Sequence, residues 1–201
     1  MAKLYFRYGT VGSAKTLNLV AVAHNYRQQG KKIFLLKPDI DNRFGKQQIK
    51  SRAGLETDAD ILVQPDSNLL YLDFEGISCL LVDEAQFLSK HNIDQLRAIT
   101  LLKSIPVICY GLRTDFKGRL FEGAQRLFEL ADSIEEVKAT CHFCNRKSIM
   151  NLRYCDGKAV LEGPTVLLGA EERYLPACFA CYVSELQKSG ALATEAVSIN
   201  K

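Results

Sequence analysis

The chain has 201 residues, which suits one domain with a small additional lobe and allows a sizeable buried core. Its 26 basic and 23 acidic residues give a formal net charge of +3, too balanced to indicate a nucleic-acid-binding protein by charge alone. No apolar run approaches the roughly 20 residues that span a bilayer, and the N-terminus lacks a signal-peptide pattern. A cytoplasmic protein with no membrane or nucleic-acid partner is therefore expected.

Strand-like and helix-like segments alternate over the first 131 residues. Strands are predicted at 4–8, 32–36, 78–82 and 106–110. Helices are predicted at 16–29, between the last two strands and at 120–131. The apolar face of the first helix is assigned to Leu17, Val20, Ala21 and His24, and that of the second to Ile93, Leu96, Ile99 and Leu102. This alternation indicates an α/β fold with a parallel sheet covered on both faces.

The pattern changes near residue 140, where paired cysteines and short strand candidates at 159–161 and 165–168 begin. We therefore predict an α/β domain over 1–139, a small lobe over 140–190 and a flexible tail over 191–201. The segment 46–58 is polar and mixed in charge, and it is predicted to be a mobile loop.

A phosphate-binding loop is predicted between the first strand and the first helix. Residues 9–16 read Gly9-Thr10-Val11-Gly12-Ser13-Ala14-Lys15-Thr16, which matches the P-loop pattern except that Ala14 replaces a glycine. Backbone N–H groups would surround a triphosphate, Lys15 would reach its outer phosphates, and the Thr16 hydroxyl would hold Mg²⁺. Ala14 fits this loop if it takes a negative φ or if it tolerates strain.

The strand at 78–82 ends in two carboxylates, within Val82-Asp83-Glu84-Ala85-Gln86. In P-loop enzymes an aspartate at this place completes the magnesium site, a role that falls to Asp83. Adjacent side chains on a strand point in opposite directions, so Glu84 is predicted to act separately, as a general base near the terminal phosphate.

Two C-x-x-C pairs predict a structural zinc site. Cys141, Cys144, Cys178 and Cys181 would supply four thiolates in a closed tetrahedral shell. Cys79 and Cys109 fall on predicted core strands and are interpreted as small buried apolar residues.

The ordered set of phosphate loop, acidic strand end and two-pair zinc lobe resembles the type II thymidine kinases over roughly residues 3–188. Three further segments agree with this resemblance: Asp41-Asn42-Arg43-Phe44, Gly111-Leu112-Arg113-Thr114-Asp115-Phe116, and Gly169-Ala170-Glu171-Glu172-Arg173-Tyr174. The last segment is similar to the lasso loop that closes over the nucleoside in that family.

The resemblance implies a P-loop NTPase-type fold and an ATP:thymidine 5′-phosphotransferase for nucleotide salvage, with ATP, Mg²⁺ and structural Zn²⁺. It implies that Glu84 is the base for the 5′-hydroxyl, that Arg43 stabilises the transferring charge and that Gln86 belongs to the nucleotide-binding strand end. The residues it implies around the base are Phe87, Leu112, Phe116, Phe121, Met150 and Tyr174, with Val11 and Met150 shaping the pocket near the 5-methyl group. It also implies feedback inhibition by dTTP, tolerance of deoxyuridine and a homodimer or homotetramer.

Two departures from the family pattern stand out: Ala14, and Gly169-Ala170 where Gly-Gly is common. Each departure is expected to lower catalytic efficiency or to mark a divergent member of the family. Two other functions are considered: a nucleic-acid-stimulated ATPase, because Asp83-Glu84-Ala85-Gln86 resembles a helicase box, and a zinc-ribbon binding module with a decayed nucleotide site. The aromatic residues also fit ordinary core packing.

Overall fold

A computed structural model describes residues 1–41, 45, 47–163 and 173–193. Its first half contains β1 (Leu4–Tyr8), α1 (Lys15–Gln28), β2 (Lys32–Pro38), β3 (Gln48–Lys50), β4 (Glu56–Asp58), β5 (Ile61–Val63) and β6 (Ile77–Val82). Its second half contains α2 (Lys90–Leu102), β7 (Val107–Gly111), α3 (Glu122–Leu130), β8 (Ser133–Glu136), β9 (Met150–Cys155), β10 (Lys158–Val160), β11 (Arg173–Ala177) and α4 (Phe179–Lys188).

The main sheet has six strands in the order β5-β2-β6-β7-β1-β8, and every neighbouring pair is parallel. Two apolar clusters cover its faces, and successive β6 residues alternate between them. Leu80 and Val82 pack towards α2 and α3, whereas Cys79 and Leu81 pack towards α1. The predicted α/β fold with a doubly covered parallel sheet is thus confirmed. The burial of Cys79 and Cys109 is confirmed as well, and burial raises the pKa of the Cys79 thiol to about 11.

The buried face of α1 differs from the prediction. The structure buries Lys15, Leu19 and Ala23, which are spaced four residues apart, and exposes Ala21 and His24. Because apolar residues lie on both sides of this helix, their pattern alone does not decide its rotation. The phosphate loop decides it, since burying Lys15 also turns the side chains one and two turns later towards the sheet.

The face assigned to α2 is correct for Ile93, Leu96 and Ile99 but wrong for Leu102, which is 71% exposed. At about 100° per residue, nine positions beyond Ile93 bring the helix round to the opposite side. Thr100 is buried in its place.

The segment predicted to be a mobile loop contains an antiparallel hairpin of β3 and β4. Ile49 on β3 is buried in the cluster under α1, so an apolar contact holds this polar segment against the main domain. The prediction of a loop was wrong because a single buried residue anchors strands too short to show an alternating pattern.

Strands β10, β9 and β11 form a three-stranded antiparallel sheet in a smaller lobe, on which α4 packs. The strand predicted at 165–168 lies outside the described residues, as does most of the predicted tail. In the described part of the chain, no helix is both long and apolar enough to cross a membrane.

Candidate active site and metal centre

The phosphate loop connects β1 to α1 and packs too closely to admit a side chain at Gly9. A Cβ there would lie 2.4 Å from Ser13 Oγ and 2.5 Å from the Val137 carbonyl oxygen. The Gly9 N–H donates to the Gly111 carbonyl at the end of β7, over 3.2 Å. The loop is therefore seated directly on the carboxyl ends of the central strands, where ligands bind in open α/β sheets.

Ala14 adopts the left-handed conformation, with φ 62° and ψ 24°. Of the two possibilities that its sequence left open, the structure thus has the strained one. A residue with a Cβ is disfavoured in this conformation by about 1–2 kcal/mol. The loop keeps the backbone path that a glycine would take, at an energetic penalty.

Lys15 is buried beneath the phosphate loop. Its Nζ donates to the Thr10 carbonyl oxygen over 2.7 Å and to Ser13 Oγ over 3.2 Å. The loop's own oxygens thus hold the ammonium group at the place where the P-loop pattern requires a cation for phosphate.

The Thr16 hydroxyl and the Asp83 carboxylate meet at the mouth of the phosphate loop. Thr16 Oγ1 lies 3.3 Å from Asp83 Oδ1 and 3.2 Å from Oδ2. Mg²⁺ takes oxygen ligands at about 2.0–2.1 Å in an octahedron, which places neighbouring ligands about 3 Å apart. Both the chemistry and the spacing of these oxygens therefore fit the predicted magnesium pair.

Glu84 follows β6 in a left-handed conformation, with φ 48°. Its Oε2 accepts a hydrogen bond from Gln86 Nε2 over 2.5 Å, and Gln86 Oε1 accepts the Leu112 N–H over 2.9 Å. Gln86 is 1% exposed, so this amide is a rigid bridge between the Glu84 carboxylate and the end of β7. Gly111 makes room for it, because a Cβ there would lie 2.7 Å from Gln86 Oε1.

The aromatic residues singled out in the sequence form two separate pairs. Phe87 and Phe121 are in edge contact with ring centroids 5.5 Å apart, and Phe121 packs against the main core. Phe116 and Tyr174 are in edge contact at 6.4 Å, and Phe116 is 1% exposed. Phe116 also lies under the Arg153 guanidinium, with Cζ 4.8 Å from the ring centroid.

Met150 lies at the start of β9 in the core of the smaller lobe and is 8% exposed. A Cβ on Gly118 would lie 3.2 Å from Met150 Cε, so its side chain packs against the turn that follows Phe116.

The four paired cysteines converge in the smaller lobe. The sulfurs of Cys141, Cys144, Cys178 and Cys181 all lie within 4.8 Å of one another. Cys144 Sγ is 3.7 Å from Cys178 Sγ and 3.7 Å from Cys181 Sγ. Zn–S bonds of about 2.3 Å place the sulfurs of a tetrahedral site about 3.8 Å apart. The cluster thus has the size that a Cys₄ zinc site requires.

The acidities of two of the clustered thiols are shifted in opposite directions. Burial raises the pKa of Cys141, but hydrogen bonds, chiefly from the backbone N–H groups of Cys178 and Phe143, outweigh it and lower the pKa to about 7. A hydrogen bond with Cys178, together with burial, raises the pKa of Cys181 to about 12. Zinc requires thiolates, so its binding must displace protons from this cluster.

Comparison with known proteins identifies the family. The family model described as thymidine kinase matches residues 2–182. The thymidine kinase of Lactiplantibacillus plantarum is 44% identical over 181 residues, which cover 89% of this chain and 94% of that protein. The thymidine kinase of Chromobacterium violaceum is 42% identical over 183 residues, covering 90% and 98%.

The chain belongs to the thymidine kinase family. The resemblance seen in the sequence is thus confirmed, and neither the helicase-like ATPase nor the zinc-ribbon binding module gains support. Two parts of the family resemblance lie outside the described residues: Arg43, and the lasso segment before Tyr174 except for the backbone of Arg173.

Two residues of this thymidine kinase family member contact the phosphate loop and were missed in the sequence. Asn151 Oδ1 accepts the Val11 N–H over 2.8 Å, while its Nδ2 donates to the Thr114 carbonyl over 2.8 Å. Ser148 Oγ lies 2.8 Å from Thr10 Oγ1. Asn151 is 3% exposed on β9, a strand that also carries the buried Arg153. A buried amide needs polar partners, but its burial is known only from the structure. In the sequence, the available signal was an amide between the apolar residues Met150 and Leu152.

Proposed function

We propose that this protein transfers the γ-phosphoryl group of ATP to the 5′-hydroxyl of thymidine, and also of deoxyuridine. The observation that carries the proposal is the convergence of the phosphate loop, the Thr16–Asp83 pair and the Glu84 carboxylate at one edge of the sheet. Membership of the thymidine kinase family supports it.

The phosphate loop and Lys15 would hold the triphosphate of the donor, and Thr16 and Asp83 would hold Mg²⁺. When bound, Mg²⁺ neutralises charge on the phosphate oxygens. Little covalent chemistry falls to the protein in phosphoryl transfer, so accurate placement of the two substrates contributes most.

Glu84 would accept the proton of the 5′-hydroxyl as the phosphoryl group transfers. Gln86 supports this role, since it fixes one carboxylate oxygen through a bond to Nε2 and is itself held by the Leu112 N–H. The strained backbone of Glu84 also supports the role, because left-handed non-glycine residues cluster at functional sites.

The side chains proposed to contact the nucleoside are those that the family resemblance implies. Phe87, Leu112, Phe121 and Tyr174 would surround the base together with Phe116. Val11 and Met150 would shape the side of the 5-methyl group. Arg43 and the lasso segment, which lie outside the described residues, would complete the site. A methyl contact contributes about 1–3 kcal/mol, so discrimination between thymidine and deoxyuridine would be modest.

The proposal is tested by phosphate transfer from ATP·Mg²⁺ to the common deoxynucleosides, using zinc-loaded protein. A strong preference for thymidine and deoxyuridine is expected, and the absence of transfer to every nucleoside would refute the proposal. Glu84→Gln should reduce turnover by about 10²–10⁴-fold while ATP binding persists. Glu122→Gln, which alters a carboxylate on α3, is the control. Wild-type turnover in Glu84→Gln would refute the base assignment.

The family resemblance further suggests a cytoplasmic homodimer or homotetramer inhibited by dTTP. The thymine of dTTP would occupy the nucleoside pocket while its phosphates reach the phosphate loop. Competition with both thymidine and ATP is then expected in steady-state kinetics, and its absence would reject this arrangement. We also propose that the chain divides into two lobes at residue 139.

A further inference from the structure

The β3–β4 hairpin brings a cation to the rim of the phosphate loop. A Cβ placed on Gly12 would lie 3.8 Å from Nη1 of Arg52, which is in the turn of the hairpin. Gly12 is exposed and has φ 74°, so it forms the outer edge of the loop. The Arg52 guanidinium therefore lies beside the loop on its solvent side.

Specific contacts hold the hairpin in this position. Its base is fixed by Lys37, whose Nζ donates to the Gln48 carbonyl oxygen over 3.0 Å. Its middle is fixed by the burial of Ile49 under α1. Its second strand is fixed by Thr57, whose Oγ1 accepts a hydrogen bond from Arg27 Nη1 over 3.2 Å.

The turn that carries Arg52 is ordered by its own hydrogen bonds. The Ser51 N–H donates to the Leu55 carbonyl over 2.8 Å, and Ser51 Oγ accepts the Leu55 N–H over 3.0 Å. Ser51 is 5% exposed. The backbone at Arg52 is thus anchored on both sides, which limits where the guanidinium can reach.

Arg52 differs from its neighbour Lys50 in having no ion-pair partner among the described residues. Lys50 forms an ion pair with Glu56 over 3.1 Å, whereas Arg52 has no hydrogen bond or ion pair among the described residues. A guanidinium is planar and always charged, and it binds phosphate through two parallel hydrogen bonds. Such a group beside a phosphate loop is suited to the oxygens of a polyphosphate.

We propose that Arg52 binds the phosphates of the donor nucleotide from the side opposite Lys15. This inference rests on the proposed function, because it requires a nucleoside triphosphate in the loop. Lys15 is buried under the loop and Arg52 stands outside it, so the two cations would enclose the phosphate chain.

The test compares Arg52→Gln and Arg52→Lys with Lys50→Gln, a matched change in the same hairpin. Equilibrium binding of ATP·Mg²⁺, ADP and adenosine is measured by calorimetry. Arg52→Gln should weaken ATP binding about tenfold, which is typical of losing one charge-assisted hydrogen-bonded contact. Adenosine binding should not change, and Arg52→Lys should lie between wild type and Arg52→Gln. Lys50→Gln should bind ATP as wild type does.

Steady-state kinetics then separate the two proposals. In Arg52→Gln the KM for ATP should rise while the KM for thymidine stays constant. Unchanged ATP affinity in Arg52→Gln would overturn the inference, as would an equal loss of adenosine affinity, which would indicate a structural role. If wild-type protein binds ATP but phosphorylates no nucleoside, the proposed function is refuted. The role of Arg52 would still be decided by the ATP affinities of the variants.

Discussion

Replacing Ala14 by glycine should stabilise the protein, although glycine normally destabilises a helical segment. Ala14 caps α1 with φ 62°, and its side chain is exposed, so the substitution removes strain without removing a buried contact. Relief of the left-handed strain contributes about 1–2 kcal/mol. The greater freedom of glycine in the unfolded chain offsets about 0.4–1 kcal/mol of this. The expected net gain in unfolding free energy lies between about 0 and 1.6 kcal/mol, with a central value of about 0.8 kcal/mol.

This gain is measurable by urea denaturation of zinc-loaded protein, and it corresponds to a rise in Tm of about 1–4 °C for a chain of this size. The control is Ala21→Gly, the same chemical change at an exposed position inside the same helix. There glycine should destabilise by about 0.5–1 kcal/mol. The two variants should therefore shift in opposite directions. If Ala14→Gly loses as much stability as Ala21→Gly, the backbone of Ala14 is not strained in the folded protein.

Two further predictions concern the metal centre and acid stability. Cys144→Ser should abolish stoichiometric zinc binding and lower the Tm, and wild-type zinc affinity should fall as pH drops because the thiols must lose protons. Cys155→Ser, outside the cluster, is the control, and an equal Tm loss there would count against the assignment. The backbone N–H of Leu4, followed by Arg97, lowers the pKa of Asp132. Its carboxylate therefore stabilises the fold above its unfolded pKa of about 3.9, and this contribution disappears as pH falls through the lower folded value. Asp132→Asn should reduce stability at pH 7, and its difference from wild type should shrink as pH falls below the unfolded pKa; a pH-independent difference would contradict this origin.

Much of the site was predictable because its parts are local in sequence. The phosphate loop is a run of eight residues between a strand and a helix, and Asp83 and Glu84 directly follow an apolar strand. In a parallel sheet the carboxyl ends of the strands lie at one edge, so these two segments had to meet. The zinc site was equally predictable, because the two cysteines of each pair already have metal-binding spacing in the sequence.

The parts that were missed depend on contacts between distant segments. Arg52 acquires its position only because Ile49 packs under α1 and Lys37 holds the base of the hairpin. Asn151 contacts Val11 across 140 residues of sequence. The rotation of α1 about its axis could not be predicted from its apolar residues, because the burial of Lys15 decides it. Local periodicity carries no information about such long-range contacts.

The bonds from Ser148 and Asn151 to the phosphate loop have a consequence for dissecting this protein. Ser148 precedes β9 and Asn151 lies on it, in the lobe that holds the cysteine cluster, yet they bond to Thr10 and Val11 of the phosphate loop. A fragment that ended at residue 139 would keep the loop and its bond from Gly9 to Gly111, but it would lose the partners of the Val11 N–H and of the Thr10 hydroxyl. The phosphate loop therefore depends on both halves of the chain for its hydrogen bonds.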